Sequence, residues 1–83
     1  MKVRSIESLN SDRVVKGKGF TSFRFLLKKD NMGFGLHKTV IPKGGPYFWH
    51  YKNHLEACYC IHGEGELINL DTNIHYKIEP DTI

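Results

Sequence analysis

The run Asn53-His54-Leu55-Glu56-Ala57-Cys58-Tyr59-Cys60-Ile61-His62-Gly63-Glu64-Gly65-Glu66 concentrates the imidazole, carboxylate and thiol groups of the chain. Read as a strand, it places His54 and Glu56 on one face, because strand side chains alternate with period two. Leu55, Ala57, Tyr59 and Ile61 fall on the other. Two potential metal ligands thus point the same way at the foot of an apolar strand. The strand then stops at a Gly-Glu-Gly turn. A small β-barrel delivers a polar site into its interior in this manner.

Cys58 and Cys60 lie in the same run. A Cys-x-Cys within a strand points both thiols one way, with Cα atoms too far apart for a relaxed disulfide. Both are read as reduced and buried. Two thiolates alone do not complete a metal site.

The elements that must position these groups are short. Residues 2–4, 13–16, 22–27, 34–41, 47–51, 55–61, 66–70 and 74–79 read as strands. A turn or brief helical segment covers 5–10. Gly17-Lys18-Gly19, Lys28-Lys29-Asp30-Asn31, Pro42-Lys43-Gly44-Gly45-Pro46, Asp71-Thr72-Asn73 and Pro80-Asp81-Thr82 read as turns or loops. Many short strands with Gly and Pro between them predict an all-β sandwich or barrel.

Bulk properties bound the function classes. Eighty-three residues allow one small domain. A domain of this size buries only about 60 % of its unfolded surface. The composition is ordinary for a globular protein, with 40 % hydrophobic and 25 % charged residues. The formal charge of +3 is scattered, with no basic patch interleaved with aromatics, so no nucleic-acid partner is expected. No leader-like apolar stretch opens the chain, and no segment approaches the ~20 apolar residues of a membrane span. The expectation is a cytoplasmic protein without a membrane partner.

The spacing Gly44, five residues, His50, then Glu56 six positions on, then six residues and Gly63 has a recognisable form. It resembles the first motif of the cupin superfamily, whose metal ligands sit on strands of a jelly-roll barrel. Lys52 stands where that motif usually has its second histidine, and a protonated lysine is a poor ligand.

A closer resemblance is to the ectoine synthase family. It is carried by Phe25-Leu26-Leu27-Lys28-Lys29-Asp30-Asn31-Met32-Gly33-Phe34, by His50-Tyr51-Lys52-Asn53-His54-Leu55-Glu56-Ala57, and by Tyr59-Cys60-Ile61-His62-Gly63-Glu64-Gly65-Glu66. It runs from the first residue to the last, with no gap expected. The resemblance implies a hydro-lyase that closes N-γ-acetyl-L-2,4-diaminobutyrate into the compatible solute ectoine, a protectant against osmotic stress. The free α-amine attacks the acetamide carbonyl and water leaves. An amide is a poor electrophile, so the family uses a metal, Fe(II), to polarise its oxygen. The amine must be neutral and the departing oxygen protonated. The ends of the substrate must also be held together.

Residue by residue, the resemblance implies Glu56 as a metal-binding carboxylate and catalytic roles for Tyr51 and His54. It implies a substrate-binding set of Phe20, Arg24, His37 and Thr39. Arg24 would hold the substrate carboxylate, a task suited to guanidinium geometry. Phe20 stands where the family usually has tryptophan. The ordinary alternatives are an ion pair for Glu56 and for Arg24, and a structural histidine for His54. The family's other ligands, a tyrosine and a histidine, are expected after the turn at Pro80-Asp81-Thr82, beyond Ile83. The chain is accordingly expected to be a single, incomplete cupin domain, residues 1–83, a partial jelly roll without its C-terminal strands. Family members are expected to form homodimers. The alternative function is a non-catalytic cupin remnant of a shortened gene; a third is another metal-dependent cupin activity such as a dioxygenase.

Overall fold

Strand-forming residues and tight turns organise the first part of the chain. The computed structural model describes residues 1–83. Its strands are β1 (Val14–Gly17), β2 (Phe20–Leu26), β3 (Leu36–Val40), β4 (Gly65–Asn69) and β5 (Ile74–Ile78), with 3-10 turns at Ser11–Arg13 and Lys28–Asp30. The fold is all-β, in two antiparallel sheets, β1-β2-β3 and β4-β5. The chain divides into two compact units, Met1–Trp49 and His50–Ile83.

In the first unit, β2 is the central strand, and its sequence Phe-Thr-Ser-Phe-Arg-Phe-Leu is rich in residues that suit a pleated surface. Gly17 pairs with Phe20, so Lys18 and Gly19 alone close the β1–β2 hairpin. Gly19 has φ +86°, a conformation in which a side chain is strained. Cross-strand partners share a face. The pairs Gly17–Phe20, Val15–Ser22, Ser22–Thr39 and Arg24–His37 therefore define one face of the sheet. The pairs Val14–Phe23, Lys16–Thr21, Phe23–Lys38 and Thr21–Val40 define the other.

The alternation of β2 is broken once. Arg24 pairs with His37 but Leu26 pairs with Leu36, so Phe25 is an extra, unpaired residue: a β-bulge. Its carbonyl oxygen leaves the ladder and accepts hydrogen bonds from Arg4 Nη1 at 2.5 Å and Arg13 Nη1 at 3.4 Å. Both guanidinium groups also grip Asp30, which follows β2 in the 3-10 turn. Arg13 donates to it twice, at 2.9 and 3.0 Å, and Arg4 once, at 3.2 Å. The Leu27 N–H donates to Asp30 Oδ2 at 2.8 Å, which is half of a capping box. Asn31 then ends the turn with φ 57°, a conformation asparagine tolerates.

In the second unit, β4 and β5 form a hairpin. Its turn is fixed by Asn69, whose side-chain oxygen accepts from the Asp71 N–H at 3.0 Å and whose carbonyl accepts from the Asn73 N–H at 2.7 Å. Leu67, Tyr76, Ile74 and Ile78 share one face; Glu66, Lys77, Ile68 and His75 share the other.

Predicted strands at 13–16, 22–27, 34–41, 66–70 and 74–79 correspond to β1 through β5 within a residue or two. Those at 2–4, 47–51 and 55–61 do not form ladders. A strand needs a partner for its N–H and C=O groups, and alternation in the sequence does not supply one. In 55–61 the backbone bonds to other segments are confined to Cys60, which donates to Thr82 O and accepts from the Asp81 N–H, both at 2.9 Å.

No hydrophobic residue is fully buried; the buried residues are Arg13 and Ser22. The best-covered part of the first unit is thus polar: the Arg13–Asp30 pair and the Ser22 position on β2.

Candidate functional site

The sheet of the first unit gathers all of the predicted substrate-binding residues on one face. Phe20, Ser22 and Arg24 follow each other along β2 on that face. Thr39 and His37 stand opposite Ser22 and Arg24 on β3. Alternation and antiparallel pairing suffice to produce this set. The Phe20 ring lies over Gly17, its cross-strand partner, in the space that a β-carbon there would fill. Arg24 Nε is buried without a hydrogen-bond partner. A buried donor of this kind is costly unless something satisfies it.

The second unit gathers the remaining three predicted residues. The Tyr51 ring lies against the His54 imidazole, with centroids 5.2 Å apart and planes tilted by 49°. His54 Nε2 stands 3.6 Å from Glu56 Oε2. The expected same-side placement of His54 and Glu56 therefore holds, although their segment is not in a ladder. Both side chains are open to solvent, 58 % and 37 % exposed, so the pair is not a sealed ion pair.

Electrostatics ties Tyr51 to this cluster. Partial burial pushes its phenol pKa up, followed by the negative charge of Glu56, then Cys58, and a hydrogen bond with Glu56. A tyrosine raised from its ordinary value is a protonated hydrogen-bond donor at neutral pH. Burial, then the charge of Glu56, likewise pushes the Cys58 thiol up. Cys58 is thus a neutral neighbour of the cluster, which its sequence position did not disclose. Cys58 and Cys60 are free thiols, Cys58 exposed and Cys60 half-buried, where the sequence suggested burial for both. Without a ladder, 55–61 has no covered face to bury them.

His75 lies elsewhere, in the hairpin, with Nδ1 2.7 Å from Glu66 Oε1. The triad of Arg4, Arg13 and Asp30 escaped sequence reading. Asp30 sits in a turn signal and in a family-like motif, but nothing local pairs it with Arg4, 26 residues away.

No group of three His, Cys, Asp or Glu side chains converges on a possible metal position. Glu56 with His54 is a two-donor set. Ferrous iron is held by a fuller ligand geometry, so these residues by themselves do not fit it. No helix is long and apolar enough to cross a membrane.

Comparison with known proteins places this arrangement in a family. The sequence model of the family described as "Ectoine synthase" matches residues 1–83. The L-ectoine synthase of Desulfosudis oleivorans is 49 % identical over 73 residues, covering 88 % of this chain and 57 % of that protein. The L-ectoine synthase of Saccharophagus degradans is 48 % identical over 84 residues, covering 100 % and 64 %. That of Oceanobacillus iheyensis is 46 % identical over 85 residues, covering 100 % and 66 %. The chain therefore spans 57 to 66 % of the length of these relatives. Alignments of 84 and 85 positions exceed the 83 residues of the chain, so they contain gaps where an ungapped match was expected. A match of the family model over the whole chain, with relatives near half identity, leads to one conclusion: the chain belongs to the ectoine synthase family.

Proposed function

We propose that this chain carries substrate-binding and proton-transfer residues of an ectoine synthase, a hydro-lyase closing N-γ-acetyl-L-2,4-diaminobutyrate to ectoine. The observation that carries the reading is the gathering of Tyr51, His54 and Glu56 in a member of this family.

The reaction needs a proton acceptor at the α-amine and a proton donor at the departing oxygen. Tyr51, whose ring lies against His54, supplies the hydroxyl that this reading assigns to the donor role. His54 suits the acceptor role: a proton taken there would face the Glu56 carboxylate at 3.6 Å. The face of β1-β2-β3 suits ligand binding. Arg24 offers a planar pair of donors to a carboxylate, Thr39 and His37 offer polar contacts, and Phe20 an apolar wall. Glu56 is the carboxylate this reading assigns to a ferrous ion, which would polarise the amide oxygen once further ligands complete its set. A cupin-type barrel, a homodimer and a cytoplasmic setting belong to the same reading.

The test is turnover. The purified chain is given anaerobic ferrous iron and N-γ-acetyl-L-2,4-diaminobutyrate, ectoine is followed by chromatography, and Glu56→Ala is the control. The expected result is ectoine formation that the substitution abolishes, which requires that ligands outside the Glu56–His54 pair complete the iron site. Folded protein that makes no ectoine overturns the reading for this chain.

A further inference from the structure

Residues 42–49 follow β3 without forming a ladder, and no backbone–backbone hydrogen bond outside the ladders involves them. Their side chains make one hydrogen bond: the Tyr47 hydroxyl donates to Pro42 O at 3.4 Å. Every residue of the stretch is exposed except Tyr47. A segment with so few bonds and so little burial opens at low cost unless a side chain holds it. Tyr47 is that side chain.

Three features seat it. Its ring fills the space that a β-carbon on Gly19 would take, so it lies directly on the tip of the β1–β2 hairpin. Its hydroxyl closes back on Pro42, and a β-carbon on Gly44 would stand 3.1 Å from that hydroxyl. Its ring stacks on Trp49, with centroids 6.0 Å apart and planes 19° apart. The stretch also contains its own pivot. Gly44 and Gly45 have φ 135° and 95°, conformations that glycine adopts without steric cost.

Both ends of the stretch border the ligand-binding face. Gly19, the seat, immediately precedes Phe20, and Thr39 lies three residues before Pro42. Thr21 pairs with Val40, so the start of β2 and the end of β3 are the same end of the sheet. The stretch therefore borders that face at its Phe20–Thr39 end.

We infer that residues 42–49 are a flap, pivoting at Gly44-Gly45 and latched by Tyr47 on Gly19, whose opening admits and releases ligand at the Phe20–Thr39 end of the sheet. The ligand rests on the functional reading above; the latch does not. Flaps of this kind set the rates at which ligand enters and leaves.

The experiment uses the full chain, isotopically labelled, as parent, Tyr47→Ala, Gly19→Ala and Gly33→Ala. Gly33 has φ +83°, close to the +86° of Gly19, but a β-carbon there meets nothing within 4 Å. Gly33→Ala thus carries the backbone strain of Gly19→Ala without displacing a ring. Amide order parameters from nuclear magnetic resonance and acrylamide quenching of Trp49 emission report the flap. Stopped-flow mixing with N-γ-acetyl-L-2,4-diaminobutyrate gives the association and dissociation rates.

In Tyr47→Ala and Gly19→Ala the order parameters of the amides in 43–49 fall from about 0.85 to below about 0.6, while those of β2 do not move. Trp49 becomes more quenchable in the same two variants. Gly33→Ala leaves both readouts at the parent value. Association and dissociation quicken together by about threefold or more, because both scale with the open fraction, and affinity changes by less than that.

Unchanged order at 43–49 in Tyr47→Ala and Gly19→Ala overturns the latch. So does a Gly33→Ala protein that behaves like Gly19→Ala, which assigns the effect to backbone strain. Faster dissociation with unchanged association makes Tyr47 a ligand contact and overturns the flap. A parent that binds no ligand defeats the functional reading, and the latch is then decided by the order parameters and Trp49 alone. If Tyr47→Ala does not fold, the comparison of Gly19→Ala with Gly33→Ala decides.

Discussion

Gly17 lies directly beneath the ring of Phe20, its partner across the β1–β2 hairpin. The ring occupies the space of a missing β-carbon, so the glycine sets where the aromatic wall stands. Gly17→Ala is expected to keep the fold and to swing the ring away, because the end of one side chain can move more easily than a strand. Its melting temperature stays level or rises, since alanine reduces the freedom of the unfolded chain at a compatible site. Under the functional reading, ligand affinity falls by up to about tenfold. Titration of Gly17→Ala and of Gly17→Ala/Phe20→Ala checks this: a Phe20→Ala change that costs as much in the variant as in the parent rejects the link.

Gly19 behaves differently. Its φ is +86°, and a β-carbon there would also overlap the Tyr47 ring, which stacks on Trp49 with centroids 6.0 Å apart. Gly19→Ala is expected to destabilise by about 1–2 kcal/mol from the backbone alone. Because Trp49 is the sole tryptophan, its emission reports the displacement of the stack. Thermal melts should show Gly19→Ala below the parent and Gly17→Ala not below it; the reverse order would sink this account of the hairpin.

Asp30 gives the chain an acid limb. Hydrogen bonds from Arg13 above all, then from the Leu27 N–H and Arg4, hold its carboxyl well below the ordinary carboxylate range, against the effect of burial. The folded state therefore binds the Asp30 proton more weakly than the unfolded state does. Its stabilisation is complete above the unfolded pKa of about 4 and is lost as pH falls below that value. Asp30→Asn is expected to lower the melting temperature at pH 7 and to flatten its decline between about pH 4 and pH 2. Parallel acid limbs in parent and variant would show that other carboxyls set the decline.

Tyr51 is the proton donor of the proposed reaction. Tyr51→Phe keeps the ring against His54 and removes only the hydroxyl. Loss of general-acid assistance lowers kcat by about 10²–10⁴ with KM little changed. Steady-state kinetics at saturating substrate checks this, and a kcat within about threefold of the parent removes Tyr51 from the role.

Exposed apolar groups should govern the behaviour of residues 1–83 in solution. Leu55, Ile61, Leu67, Leu70, Phe34 and Phe48 are all more than half exposed. An unpartnered hairpin edge adds free backbone groups to this surface. The chain is expected to elute ahead of a 9.6 kDa monomer in size-exclusion chromatography and to bind a hydrophobic dye. A sharp monomeric peak with a cooperative melt would contradict this.

Local sequence determined a definite part of this protein. Alternation marked out β2, β3 and the β4–β5 hairpin, and with them the common face of Phe20, Arg24, His37 and Thr39. It also determined that His54 and Glu56 fall on one side, because residues two apart in a non-helical segment tend to do so. The motifs around Asp30, His54 and Gly63 carried the family. Tertiary structure decided the rest. A ladder needs a distant partner, so 55–61 could alternate like a strand and still pair only at Cys60. The bulge at Phe25 and its anchoring arose between residues 12 to 26 positions apart. Which carboxylate meets which guanidinium over such distances follows from the packed chain and not from local propensity.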